Sequence, residues 1–279
     1  MLLALSLLLA QSVPAQAVPA QDPDIVVTSQ APARAAKARR YIERISLPDP
    51  DNRPLARFTD PICVGSGGLP AAAGQAVVDR VSEIAASVGL EVAAPGCAPN
   101  LLVLFVEDSR AAVRTLARKD SVGIKGQSLA DVDRILEEPG HARAWVEVET
   151  RSRDGERPSR APNDPAILNV ATSTRMSSPV RRDILSATVL VDRDSVAGKD
   201  LAQVAEYAAM RALTGAKLRK SDEKGSILAL FTPDGDAAAP TRLSDFDRSY
   251  LEGLYAGRGD LLPIAKRQRI VAHMIDEKR

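Results

Sequence analysis

Six consecutive apolar residues, Leu101-Leu102-Val103-Leu104-Phe105-Val106, stand between Asn100 and Asp108. A strand with no polar side has no face for water, so this run suits a central strand covered on both faces. Such cover comes from helices packed above and below a sheet. Everything else in the 279-residue chain has to be compatible with that strand.

The flanking segments supply the helices. Val77, Val78, Val81, Ile84, Ala85 and Val88 recur at helical spacing from Pro70 to Val88, with Pro70 in the first turn and Gly89 as the C-terminal cap. Further helices are predicted over 109–118, 128–138, 200–213 and 244–256, with a last one after Pro263. Ser128 with Asp131 and Ser244 with Asp247 form capping-box pairs. A basic helix is expected over 33–45, with Arg34, Lys37, Arg39, Arg40 and Arg44 on a solvated face and Tyr41, Ile42 and Ile45 turned inward. A membrane or phosphate contact is the competing use of such a face. Strands are read at 90–93, 143–150 (alternating), 167–173 and 186–192, and one further helical turn at 225–231. The Gly-rich stretch 65–68 lacks a following G-K-[ST] and reads as a turn. The fold class expected is a single α+β domain, with a mixed twisted sheet of about five strands packed with helices.

Residues 2–10, LLALSLLLA, are too few to cross a bilayer and fit the apolar stretch of a secretory signal peptide. Pro14 and Pro19 break any helical continuation, and Ala17 or Ala20 offers a cleavage site. No Lys or Arg precedes the run, so either the start codon is misplaced or the amino terminus alone supplies the positive charge. The organisation expected is a signal peptide at 1–20, a lead-in with the basic helix at 21–46, and one domain at 47–279. Within the lead-in, D-I-V-V-T-S at 24–29 resembles a segment near the mature N-terminus of TonB-dependent receptors; an extended linker is the favoured reading. The expected location is periplasmic or secreted, with no membrane span in the mature chain. Export puts Cys63 and Cys97 in an oxidising compartment, where they pair. Closing that loop stabilises by about 4 kcal/mol in the chain-entropy treatment.

Composition narrows the function. The chain has 37 Lys and Arg against 36 Asp and Glu, for a net charge of +1, which argues against a nucleic-acid partner. Four Phe, four Tyr and one Trp give little for stacking bases. Two His and two Cys leave too few ligands for ordinary zinc sites, so no metal and no cofactor is expected.

The back half carries a family resemblance. Ser186–Asp192, the helix at 200–213, Gly225-Ser226-Ile227-Leu228, and Leu243 to Tyr255 follow one another in order. Over roughly 184–256 this resembles the C-terminal half of zincin metalloproteases, with an edge strand, a zinc helix, a site-floor turn and a capping helix. The chain also resembles a set of secreted alphaproteobacterial proteins sharing Ile62-Cys63, Gly96 to Leu101, R-R-D-I at 181–184 and Y-A-A-M-R-A-L at 207–213. The resemblance implies a zincin-like domain without its metal. H-E-x-x-H places two imidazoles on one helix face with a Glu as general base. In one register the two His positions fall on Tyr207 and Arg211; in the other they fall on Ala205 and Ala209, with Glu206 kept. His141 and His273 lie elsewhere.

Tyr207 and Arg211 are either an i,i+4 packing pair or a remodelled cleft for a ligand. With Arg175, Arg181 and Arg182 they are the candidate binding residues, forming a basic rim suited to an anionic peptide terminus or a phosphate. The function expected is non-catalytic binding of an envelope protein or peptide through a degenerate zincin-like cleft. A metal-independent hydrolase and an envelope structural protein are the alternatives. No G-x-S-x-G elbow supports a hydrolase, although His141 and several Ser and Asp residues are available.

Overall fold

A computed structural model describes residues 31–46, 51–118, 124, 126–159, 166–170, 174–218, 225–233 and 235–275. The predicted signal peptide and the segment to residue 30 lie outside the described residues. Helix α1 spans Ala31–Ile45, strand β1 Val64–Gly67, α2 Ala71–Ser87, β2 Leu101–Val106, α3 Ser109–Arg118 and α4 Leu129–Glu137. Strand β3 spans Ala142–Ser152, β4 Val180–Asp192, α5 Leu201–Thr214, α6 Gly235–Ala238, α7 Asp245–Tyr255 and α8 Pro263–Ile275.

Among the described residues the sheet has four strands in the order β1-β2-β4-β3. β2 is parallel to β1 and to β4, and β3 is the antiparallel edge strand. The two faces of β2 are buried differently. Leu101, Val103 and Phe105 join the large core with Val77, Val81 and Ile84 of α2 and Val204 and Ala208 of α5. Leu104 and Val106 face a smaller core built on Val113 of α3, Ile135 of α4 and Leu190 of β4. The unbroken apolar run is thus explained: period-two alternation sends half of it to each layer.

The strands differ from expectation in three ways. Of residues 65–68, read as a Gly-rich turn, 65–67 instead belong to edge strand β1, whose backbone pairs in parallel with the free edge of β2. Leu90–Ala93 contributes only a single bridge, Ile62 to Val92, and Ile167 only a bridge to Ser159; residues 171–173 lie outside the described residues. Residues 186–192, matched to an edge strand by resemblance, lie in β4, which starts at Val180 and is interior. Burial explains this: Ala187, Val189, Leu190 and Val191 are all buried.

The helices follow the sequence closely. Both capping boxes form, at Ser128–Asp131 and Ser244–Asp247. Helix α1 buries Ala38, Tyr41, Ile42 and Ile45 in the large core, and Arg34 Nε donates to the Met274 carbonyl of α8 at 3.0 Å. Residues 227–229 make the expected single turn, a 3₁₀ turn. Cys63 and Cys97 form a disulfide with Cα atoms 6.1 Å apart. No helix among the described residues is long and apolar enough to cross a membrane.

Candidate functional site

Helix α5 starts at Asp200, whose carboxylate accepts from the Ala202 amide at 2.9 Å, and stops at Gly215, where φ is +60°. Every residue from Val204 to Leu213 is buried. A helix apolar all round belongs inside, and any polar side chain on it must find a partner there. Glu206, Tyr207 and Arg211 each do.

Glu206 is fully buried and accepts from Arg80 of α2, Nη2 at 2.5 Å and Nε at 3.1 Å, and from the Leu243 amide. It ties α5 to α2 and to the loop before α7. Arg211 donates from Nη2 to Glu138 Oε2 at 2.6 Å and from Nη1 to the Tyr207 hydroxyl at 2.8 Å, with both charged side chains at 0% exposure. Burial opposes its charge, but the Glu138 carboxylate and the Tyr207 oxygen more than offset that, and its pKa is raised. The Tyr207 ring meets Phe231 edge to face, centroids 4.8 Å apart, and its hydroxyl pKa is raised, chiefly by burial. Gly140, at φ +78°, makes this possible from the other side. A Cβ there would sit 1.6 Å from the Phe231 carbonyl oxygen, so only glycine lets the chain after Glu138 pass that close.

A second buried carboxylate, on α7, faces the 226–229 turn. Asp247 is fully buried and accepts from Ser226 Oγ at 2.6 Å, the Ile227 amide at 3.0 Å, Ser244 Oγ at 2.7 Å and the Tyr41 hydroxyl. One side chain therefore joins the 226–229 turn, the start of α7 and the basic helix α1. These contacts are structural.

An open space lies elsewhere, along the outer edge of β3. A cavity of about 510 Å³ is walled by Ala144, Trp145, Val146 and Val148 of β3 and by the α5 end at Arg211, Thr214 and Gly215. Its charged walls are Arg53, Arg134, Arg182, Arg211 and Lys217, against Asp131 alone among the carboxylates. Arg134 Nη2 lies 3.0 Å and Lys217 Nζ 3.7 Å from Asp131 Oδ1. Burial raises the Asp131 carboxyl, but Ser128, Arg134 and Lys217 outweigh it and hold it at about 2. The Lys217 pKa is lowered by burial and by the Arg134 and Arg182 charges. Arg211 forms part of this wall, yet its Nε has no hydrogen-bond acceptor among the described residues.

The five sequence-predicted binding residues therefore separate. Arg182 and Arg211 line the cavity, and Tyr207 sits behind Arg211 with no exposure. Arg181 joins Arg151 on the buried Asp183, 3.0 and 3.2 Å away, because neighbours on a strand point to opposite sides. Arg175 is exposed in the loop before β4 and lies outside the cavity wall. Arg134, Lys217, Asp131 and Trp145 were not read from sequence as site residues; each belongs to a capped helix, a loop or a strand that reads as ordinary scaffold, Asp131 as the capping partner of Ser128.

No protein-family model, curated protein or solved structure matches this chain. Its chemistry is read from its own side chains. Among the described residues, no three or more His, Cys, Asp or Glu side chains stand close enough to hold a metal ion. His141 Nδ1 lies 3.1 Å from Asp192 Oδ2, and His273 Nε2 lies 3.2 Å from Glu252. The first pair borders a separate cavity of about 550 Å³ at the carboxyl ends of β2 and β4. Ser195 also lines that space, but its hydroxyl donates to the Asp192 carbonyl at 2.6 Å.

Proposed function

We propose that the protein is an exported, non-catalytic binding protein that holds an extended peptide or envelope-protein segment along β3, in a degenerate zincin-like domain. The observation that carries the reading is the cavity of about 510 Å³ against the outer edge of the antiparallel edge strand, with five cationic side chains in its wall. An edge strand with room beside it binds a partner by adding a strand, with backbone hydrogen bonds giving affinity and side pockets giving selectivity. Gln127 Nε2 donates to the Val146 carbonyl at 2.8 Å, so the β3 backbone already accepts a hydrogen bond from outside the sheet. The places of the two zinc-binding histidines hold a buried packing pair in one register and two alanines in the other, which supports binding over cleavage. The disulfide and the short apolar N-terminal run support export.

The test uses unstructured decapeptides and the emission of Trp145, the single tryptophan, which lines the cavity. A saturable change, peptides left intact by mass spectrometry, and loss of binding when alternate peptide nitrogens are methylated are expected. Cleavage abolished by a chelator would overturn the reading, as would binding indifferent to backbone methylation.

A metal-independent hydrolase is the second reading, favoured by the His141–Asp192 pair in its own cavity. It requires Ser195 to leave its carbonyl partner and be labelled by a serine-hydrolase probe.

A further inference from the structure

The chain has a net charge of +1, but that charge is unevenly placed. Helices α1 and α8 together hold eight Lys and Arg against one carboxylate, Glu43, so the rest of the chain is net negative. The fold sets these two helices side by side and antiparallel. Arg34 Nε, at the start of α1, donates to the Met274 carbonyl near the end of α8 at 3.0 Å. Arg267 Nη2, near the start of α8, donates to the Ser46 carbonyl just past α1 at 3.2 Å. Lys266 is buried and donates to the Ala256 carbonyl. Lys37, Arg39, Arg40 and Arg269 are exposed, and none of the four forms an ion pair among the described residues. Helix α7 packs against both helices without neutralising them: Asp245 pairs with Arg248, Glu252 with His273, and Asp247 is buried. Helix α8 adds apolar tips. It exposes Ile264, Gln268 and Ala272 in one uncharged i, i+4, i+8 row, with Ile264 at 65% exposure. Met176, at 55% exposure, stands beside that end of α8, its carbonyl accepting from the Leu262 amide at 3.1 Å.

We infer that the α1–α8 face docks on an anionic phospholipid bilayer, with Lys37, Arg39, Arg40 and Arg269 among the headgroups and Ile264 and Met176 entering the boundary with the acyl chains. An extended surface suits this arrangement better than a point ligand. The α1 cations are strung along a helix of 15 residues, about 22 Å long, on separate exposed side chains. A phosphate ion or a short acidic peptide meets few of them and has no use for an exposed Ile264 or Met176. A bilayer offers negative charge and apolar depth together. The charge segregation also orients the protein, because the net-negative remainder is repelled by the surface that attracts this face. None of these side chains lines the β3 cavity, so the docking face is independent of the peptide-binding reading.

Vesicle sedimentation tests this with the chain from residue 21, which contains every described residue and lacks the apolar run at 2–10 that would itself enter lipid. At about 0.1 M salt the protein is expected to bind phosphatidylcholine vesicles that hold about 30% phosphatidylglycerol, and not pure phosphatidylcholine. Raising the salt to about 0.5 M is expected to release it. Each cation at an anionic surface contributes about fivefold to partition. Arg39→Gln/Arg40→Gln, at exposed positions, is therefore expected to weaken binding about twentyfold. Ile264→Ser is expected to weaken it severalfold. Arg114→Gln/Arg118→Gln makes the same charge change on α3, which packs on the other face of the sheet, and is expected to alter binding by no more than about twofold. Equal binding to the two vesicle types, no binding to either, equal losses in the α1 and α3 variants, or an unaffected Ile264→Ser overturns the docking face. Tighter binding to soluble polyglutamate than to the anionic vesicles, at equal charge concentration, also overturns it and makes the partner an acidic protein. The β3 cavity stands or falls separately, by the decapeptide titration.

Discussion

Replacing Arg211 by Met tests whether this side chain is held by the fold or free to serve a ligand alone. Arg211 and Glu138 are both at 0% exposure, and their closest contact is 2.6 Å. Met keeps most of the side-chain length and removes the charge and donors. Glu138 is then a buried carboxylate whose Oε2 has lost its donor and whose Oε1 already has no hydrogen bond among the described residues. Breaking a buried pair from one side destabilises by about 3–5 kcal/mol, because the remaining charge stays out of water, here with only the 3.8 Å approach of Arg134 Nη1 to its Oε1. In a domain of this size that lowers Tm by roughly 6–20 °C, at about 2–4 °C per kcal/mol. Glu138→Leu, leaving the guanidinium with only the Tyr207 hydroxyl, falls in the same range.

The double variant Arg211→Met/Glu138→Leu removes both charges. A buried ion pair replaced by apolar groups is often neutral or stabilising, and the Tyr207 hydroxyl loses one hydrogen bond of about 1 kcal/mol. It is expected within about 2 kcal/mol of the parent, giving a coupling energy above about 3 kcal/mol. Urea unfolding with the disulfide intact, followed by tryptophan emission and far-UV dichroism, measures all four corners of the cycle. A single-variant loss under about 1 kcal/mol, or additive losses in the double variant, refutes the pairing argument.

Three other outcomes follow from buried polar groups. Asp247→Ala strands the Tyr41 hydroxyl, Ser226 Oγ and the Ile227 amide, and is expected to destabilise by about 3 kcal/mol or more in urea, against about 1 kcal/mol for Tyr41→Phe. All four tyrosines, Tyr41, Tyr207, Tyr250 and Tyr255, have raised hydroxyl pKa values, burial being the first cause in each, and Tyr250 is pushed to about 12. Their contribution is complete below the unfolded value of about 10 and is lost as pH rises beyond it, so tyrosinate absorbance at about pH 10.5 should be small until the chain unfolds. Lys266 is lowered to about 8 by burial and by Arg57 and Arg269, and its Nζ donates to the Ala256 carbonyl at 2.7 Å. Between about pH 8 and 10 the unfolded chain holds a proton that the folded one has released, so stability rises with pH there, and Lys266→Met should flatten that part of the profile.

The layers were legible in the sequence because they rest on local chemistry. Capping boxes, the Gly89 cap and the Leu101–Val106 run each state their structure within a few residues. What stayed hidden was partner choice over long separations. β1 pairs with β2 across 33 residues of intervening sequence, and its Gly-Ser-Gly composition carries no strand propensity. Ile167 has a strand-like side chain, yet its one pairing is the isolated bridge to Ser159.

The site divides along the same line. An i,i+4 pair on a helix was readable from Tyr207 and Arg211 alone. Its burial was not, because the countercharge is Glu138, 73 residues away and just past the end of α4. That partner explains how Arg211 can be both scaffold and wall. Glu138 and Tyr207 fix the guanidinium plane at the inner end of the cleft. Lys217 is the opposite case, half exposed and loosely paired, and so contributes attraction more than orientation. Substituting Lys217 therefore probes binding with the fold intact, whereas substituting Arg211 probes the fold first.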